Sequence, residues 1–426
     1  MTTRREFFRN SVLLPATLGS AGTARASTTP PRRVNLPTYE ELGVRPFINC
    51  VGTVSVYSGF VIPPEVREMM DYASQYCVPI VELQEAVGGR IAEIMGAESA
   101  MVTTGASGAM HAGTAACVAG DDPQLIARLP LTSALTSADT SGMKNEVLVL
   151  KTHRIDYDHA VRAVGVKMVE VEDLREMAAA VNERTAMIFA VPLQARTMGG
   201  PSMEEIAEIG NKAGVPMFCD AAAERPERPN RYLKAGYDLV CHSGGKPLFG
   251  PQSTGVLMGK RDLIRKAILN TAPYTNFGRS LKVGKEEIMG TLVAVDLWFN
   301  GRDHREEFGI WEGYARVIMD RVGTVPSVTT TLEPEDAFKV SPFLTVSWSP
   351  DVVKITPDEL AKDLFDGEPR IRMVTAADGL GLGPREKEIR DSGDIPYGMI
   401  IRPYTLQQGE AEVVANRLRE LLTTHA

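Results

Sequence analysis

The order of apolar runs along the chain predicts an α/β fold: a mostly parallel sheet covered by helices, followed by a smaller C-terminal α+β domain. Three observations carry that expectation. Strand-length apolar runs alternate with amphipathic stretches of helical period between about residues 97 and 269. After residue 300 the alternation gives way to strands and helices without that rhythm. Finally, 426 residues at 44% hydrophobic and 23% charged suffice for a large core and two domains.

The elements follow in order. AESAMVTT (97–104) reads as a strand and GASGAMHAGTAACVAG (105–120) as the helix after it. NEVLVL (145–150) precedes a helix in DYDHAVRAVG (156–165), KMVEV (167–171) one in DLREMAAAVN (173–182), and TAMIFAV (185–191) one in PSMEEIAEIGNKAG (201–214). VPMFCD (215–220), DLVCHS (238–243) and TGVLMG (254–259) complete the strands, the last feeding the helix KRDLIRKAIL (260–269). A long helical stretch near Lys285 to Asn300 follows. Beyond it SVTTTLE (327–333), PFLTVSWS (342–349), IRMVTA (371–376) and YGMIIRP (397–403) read as strands, with TPDELAKDLFDG (356–367) and QQGEAEVVANRLRELLTT (407–424) as helices. The expected division is a large domain over 61–300 and a small one over 301–426, after a linker and N-terminal segment over 27–60. In such a sheet ligands bind at the carboxyl edge of the strands, so the loops there are where chemistry is sought.

Residues 1–26 read as an address rather than fold. Arg4-Arg5-Glu6-Phe7-Phe8 sets an arginine pair before two aromatics, Ser11 to Thr23 is mildly apolar, and Ala24-Arg25-Ala26 ends in small residues. The segment resembles a twin-arginine export signal cut after Ala26, with a disordered basic N-terminus as the alternative. The first reading places the mature protein in the periplasm or outside the cell and makes the export machinery a partner. No stretch reaches the roughly 18 uninterrupted apolar residues of a membrane span. The net charge of −8 falls to −11 without the four arginines and one glutamate of residues 1–26, which gives no electrostatic reason to bind nucleic acid. Cys50, Cys77, Cys117, Cys219 and Cys241 are scattered and odd in number, with no C-x-x-C and no His-Cys cluster. They write neither a disulfide framework nor a zinc site, so any cofactor is expected to be organic.

Four strand-end loops carry candidate chemistry. Gly105-Ala106-Ser107-Gly108 follows a strand and opens a helix, so backbone N–H groups and the Ser107 hydroxyl can approach an anion; the same residues also cap helices without a ligand. His153 lies just past the strand at 145–150, where an imidazole can lie on an aromatic ring, act as acid or base, or serve structure alone. Asp220 ends a buried strand and precedes Ala221-Ala222-Ala223, where a cation is expected to keep its carboxylate ionised. Ser243-Gly244-Gly245-Lys246 places one lysine on a tight turn, either exposed or desolvated and able to form a Schiff base. Jointly, an anion loop, a ring-sized platform, a carboxylate and a lysine match pyridoxal phosphate.

GVRPFINCVGT (43–53), SGMKNEVLVL (141–150), FCDAAAE (218–224), SGGKPLFGPQSTGVLMG (243–259) and GRSLKVGKEEI (278–288) resemble the selenocysteine-synthase-like group of fold-type-I pyridoxal-phosphate enzymes, which includes ammonia-lyases of phosphorylated amino sugar acids. The resemblance covers about residues 38–426. It implies that Lys246 bonds to the cofactor aldehyde, that Asp220 pairs with the pyridine nitrogen, that Ser243 and the 105–108 loop hold the phosphate, that Ala222 lies beside the cofactor, and that His153 stacks on the ring. Arg279, Lys282 and Lys285 reach a phosphate or a neighbouring subunit's site, or form a solvated helix start. Arg402 holds the substrate carboxylate or a structural salt bridge. Two departures bear on function: the export signal does not suit chemistry on charged tRNA, and the basic N-terminal extension of true selenocysteine synthases has no counterpart here.

The expected function is therefore that of an exported pyridoxal-phosphate enzyme acting on a small amino compound by α,β-elimination or β-replacement. An aminotransferase, a seryl-tRNA selenium transferase and a non-catalytic cofactor-binding protein are the alternatives. The resemblance further implies a homodimer or a multiple of it, because a fold-type-I site usually lies between two subunits.

Overall fold

The computed structural model describes residues 36–131, 143–333, 341–379 and 395–426. The expected export signal lies outside the described residues. The chain divides into two units, Met1–Pro46 and Phe47–Ala426. In the first, the described residues form a turn in which Leu42 N donates to Thr38 O and Val44 N to Tyr39 O.

The second unit is built on a seven-stranded sheet. After β1 (Ile48–Asn49) its strands are β2 (Ser99–Thr104), β3 (Glu146–Leu150), β4 (Lys167–Val171), β5 (Thr185–Ala190), β6 (Met217–Asp220), β7 (Leu239–Ser243) and β8 (Thr254–Gly259). Their spatial order is β2-β8-β7-β6-β5-β3-β4. β8 runs antiparallel to both its neighbours and every other pairing is parallel, which is the mostly parallel sheet the sequence predicts. Side chains alternate between two cores, as a period of two requires: Val147 and Val149 face one layer, Leu148 and Leu150 the other. The helices Ile80–Met95, Met203–Ala213 and Lys285–Asp296 cover the first face, and Gly105–Ala119 and Arg261–Leu269 the second. Local chemistry starts them well: Ser202 and Glu205 form a reciprocal capping box at Met203–Ala213, and Thr356 and Glu359 another at Pro357–Asp366.

A smaller antiparallel sheet follows, ordered β12-β13-β10-β9, from β9 (Val328–Glu333), β10 (Phe343–Trp348), β12 (Val374–Thr375) and β13 (Gly398–Ile401). Helices His304–Val322, Pro357–Asp366 and Glu410–Thr424 bury Ile318, Leu360 and Leu418 in its core. The stretch 371–376 is not one strand but two: β11 (Ile371–Arg372) pairs in parallel with β1, and after Met373 the chain turns to β12. Residues 47–50 thus pack with the C-terminal layer, and Cys50 is wholly buried there. The helical stretch near 285–300 is α-helical to Asp296 and then widens into a π-helical turn, Leu297–Gly301. Between 156 and 165 only His159–Arg162 is α-helical, after a 3-10 turn over Asp156–Asp158.

Candidate active site

Topology brings the four loops to one edge. β2, β3, β5, β6 and β7 all end there, and antiparallel β8 begins there. Gly105 sits at φ +66°, and a Cβ on Gly255 would lie 2.4 Å from the Gly105 carbonyl carbon, so two glycines let the loop before the helix touch the start of β8. Thr103 Oγ1 donates to Gly105 O at 2.9 Å, which fixes the loop, while Ser107 is exposed and Gly108 buried. Thr104 Oγ1 is buried without a hydrogen-bond partner among the described residues.

Asp220 is 7% exposed at the end of β6. Burial pushes its carboxyl up from the usual range, against the Ala222 N–H, the Lys246 charge and the Cys241 thiol. Both close donors use one oxygen: Ala222 N donates to Oδ1 at 3.0 Å and Cys241 Sγ at 3.5 Å. Among the described residues Oδ2 takes no hydrogen bond, which leaves it for a donor from outside the chain. The Ala222 N–H is thereby committed to Asp220. The loop beyond is anchored by Glu224, 3% exposed, which accepts from Arg196 Nη1 and Nη2 at 2.7 Å each and from Tyr232 OH at 2.8 Å.

Lys246 is partly exposed, with Nζ 6.0 Å from the Tyr157 ring centroid. Ser243 ends β7 opposite Gly255. His153 is 1% exposed; Val191 N donates to its Nδ1 at 3.2 Å, so Nε2 carries the proton, and that N–H is buried without a partner among the described residues. Burial lowers the His153 pKa to about 4, so the imidazole is neutral.

A cavity of about 470 Å³ opens beside Lys246, and Arg402, Tyr404, Thr53, Tyr57 and Asp378 line it. Arg402 Nη1 donates to Val51 O at 3.1 Å, and burial lowers the guanidinium's pKa. No local pattern announces a role for Thr53, Tyr57 or Tyr404: Tyr404 OH accepts from Thr53 N at 3.0 Å across 351 residues. Nor does one announce Arg372, which stacks on Tyr57, Cζ 4.6 Å from the ring centroid, and donates to its hydroxyl. Within one chain the structure does not bring Arg279 or Lys282 to this cavity; both are exposed, and Lys285 pairs with Glu286.

The residues fit pyridoxal phosphate on their own chemistry. A helix start and Ser107 or Ser243 suit a phosphate, the unused Asp220 Oδ2 suits a protonated ring nitrogen, and Lys246 suits an aldehyde. Among the described residues no cluster of His, Cys, Asp and Glu suits a metal ion.

Comparison with known proteins agrees. Residues 147–278 match the class-V aminotransferase family. A 5'-C-glycyluridine monooxygenase-decarboxylase of Streptomyces is 29% identical over 91% of this chain and 92% of its own. The D-glucosaminate-6-phosphate ammonia lyase of Salmonella typhimurium is 24% identical over 90% of this chain and 97% of its own. A solved D-glucosaminate-6-phosphate ammonia-lyase superposes with a TM-score of 0.75 at 24% identity, over 91% of this chain and 99% of that one.

Proposed function

We propose that this chain, a pyridoxal-phosphate-dependent enzyme of fold type I, acts on a small amino acid or amino sugar acid by α,β-elimination, which expels a Cβ substituent and ends in hydrolytic release of ammonia from Cα, or by β-replacement of that Cβ substituent. The observation that carries the reading is Lys246 on the rim of the 470 Å³ cavity that Arg402 also lines, with the desolvated Asp220 close enough to feel the lysine's charge. Likeness to an ammonia lyase over nearly the whole of both chains supports elimination.

The bound cofactor supplies an electron sink that lowers the cost of removing a proton from the substrate Cα. The chain does the rest. Lys246 Nζ would hold the cofactor's aldehyde carbon and, when free, would be the base for the Cα proton. Asp220 Oδ2 would keep a proton on the ring nitrogen, with Oδ1 pinned by Ala222 and Cys241. Arg402 offers the substrate carboxylate a charged donor from the small sheet's side of the cavity. His153, neutral and fixed through Val191, presents Nε2–H from the end of β3. The protein is further proposed to be exported and to work as a homodimer, with the segment Asn276–Lys285 reaching its partner.

The Streptomyces relative favours a second reading, oxidative decarboxylation, and the class-V match favours transamination. Products separate all three. The holoenzyme is offered D- and L-amino acids and amino sugar acids while ammonia, carbonyl product and dissolved oxygen are followed. Ammonia without oxygen uptake or added keto acid supports elimination; oxygen uptake with CO2 release supports the second reading, and a requirement for a keto acid supports transamination. Borohydride treatment of the same protein should leave a pyridoxyl label on Lys246, and Lys246→Ala should lose about three orders of magnitude in kcat or more while still binding cofactor weakly. Full activity in that variant would overturn the site.

A further inference from the structure

The turn that carries Lys246 is braced from behind by a residue 55 positions further on. Arg302 Nη1 donates to the Pro247 carbonyl at 2.8 Å, and its Nε donates to Glu307 Oε1 at 2.6 Å. The guanidinium carbon lies 4.6 Å from the Phe249 ring centroid and 4.8 Å from that of Trp298. The Arg302 side chain is 10% exposed, and its Nη2 is buried with no hydrogen-bond partner among the described residues. A nearly buried cation with an unmet N–H is a poor device for stability alone, since desolvation offsets much of what the pairing returns.

What it grips is a strained segment. Phe249 has φ +56°, a left-handed conformation that is an outlier for a bulky residue and persists only where the surroundings over-determine it. Phe249 N donates to Lys246 O at 3.1 Å and Gly250 N to Gly244 O at 2.8 Å, so the turn is closed internally and its outward carbonyl, that of Pro247, is the one Arg302 holds. Arg302 also stands at a junction. It follows the π-helical turn Leu297–Gly301 and precedes helix His304–Val322, which buries Ala315, Ile318 and Val322 in the small sheet's core. Trp298 Nε1 donates to Pro226 O at 3.0 Å, tying the π turn to the chain beyond Asp220, and the Phe249 ring meets the cavity-lining Tyr404, centroids 6.2 Å apart.

We propose that Arg302 is a positioning residue for Lys246: through the Pro247 carbonyl and the Phe249 ring it fixes where the reactive amine stands, and it links that amine to the junction between the two sheets. The inference rests on Lys246 being the cofactor-binding lysine.

The test uses the full protein with pyridoxal phosphate added in excess. Arg302→Met keeps length without charge, and Arg302→Lys keeps charge without the fork. Folding is checked by thermal melting, and the rate at which borohydride-fixable pyridoxyl label appears on Lys246 is read by peptide mass. Both variants, folded, should label at least about fivefold more slowly than wild type, and kcat should fall about tenfold to a hundredfold with KM changed far less. Glu307→Gln, which touches Arg302 but not the turn, should show a smaller loss in the same direction. Folded variants that label at the wild-type rate would overturn the proposal. If neither arginine variant folds, Phe249→Leu decides: slowed labelling supports it and a wild-type rate overturns it. Absence of label on Lys246 in the wild-type protein would remove the cofactor reading itself, and the proposal with it.

Discussion

Asp220 shows how much a single residue's surroundings say about its work. A carboxyl that is 7% exposed and pushed up by burial is expensive to keep charged, and its two close donors share Oδ1. In the proposed site a protonated ring nitrogen at Oδ2 would offset that cost, because an opposite charge favours the ionised form. Asp220→Asn keeps the shape and removes the charge, so the fold should survive while kcat falls by about two to four orders of magnitude. Melting curves and single-turnover rates on cofactor-loaded protein check both halves, and a loss under tenfold would assign the electron-sink role elsewhere. Asp220 and Lys246 were legible in the sequence as candidates because Asp220 ends β6 before small residues and Lys246 follows the end of β7 in a Gly-Gly turn. Arg302, Tyr57 and Tyr404 were not, because they act through contacts between segments far apart in the chain, and nothing local in an arginine after a helix tells which carbonyl it will hold.

At the scale of the element, strands were read more surely than helices. A buried strand such as Glu146–Leu150 is a continuous apolar run and stands out, whereas helices Pro64–Ser74 and Ile80–Met95 carry their apolar residues at wider spacing among charges and were not singled out. The split of 371–376 into β11 and β12 was equally hidden, since it depends on β1 arriving to pair with Ile371. Adjacent glycines on helix Ile80–Met95 make its packing testable. A Cβ on Gly88 would lie 2.1 Å from the Ala100 carbonyl oxygen, against the backbone of β2, while one on Gly89 would meet nothing within 4 Å. Gly89→Ala should therefore stabilise the protein by about 0.5–1 kcal/mol through helix propensity, and Gly88→Ala should destabilise it by about 1–3 kcal/mol because helix and strand must move apart. Urea unfolding of the two variants gives opposite signs if the helix sits as described.

For the whole molecule, three histidines set a pH response, His153 and His242 buried and His111 half-buried. Burial lowers His111, His153 and His242 each to about 4, below the roughly 6.5 of an unfolded chain. Between those values the unfolded chain binds protons the folded one refuses, so stability is whole above about pH 6.5 and is lost as pH falls toward 4, by at most about 1.4 kcal/mol per pH unit for each histidine. Unfolding in urea at pH 7 and pH 5.5 should show the drop, and His242→Gln should flatten it. Assembly gives the other molecular-scale prediction. Arg279 and Lys282 lie exposed and do not line their own chain's cavity. In the proposed homodimer a second copy would give them a site to serve, in the isologous arrangement of a two-fold dimer, and obligate interfaces of that kind bury about 2,000 Å² or more. Lys246→Ala and Arg279→Ala should each be inactive alone. In a mixed dimer one site combines both defects, while the other draws an intact Lys246 from one chain and an intact Arg279 from its partner. Co-refolding the two variants in equal amounts should then restore about a quarter of wild-type activity, since half the dimers are mixed and each of those has one whole site. Sites confined to single chains would leave the mixture as dead as its parents, and a monomer active at assay concentration would remove the partner's role altogether.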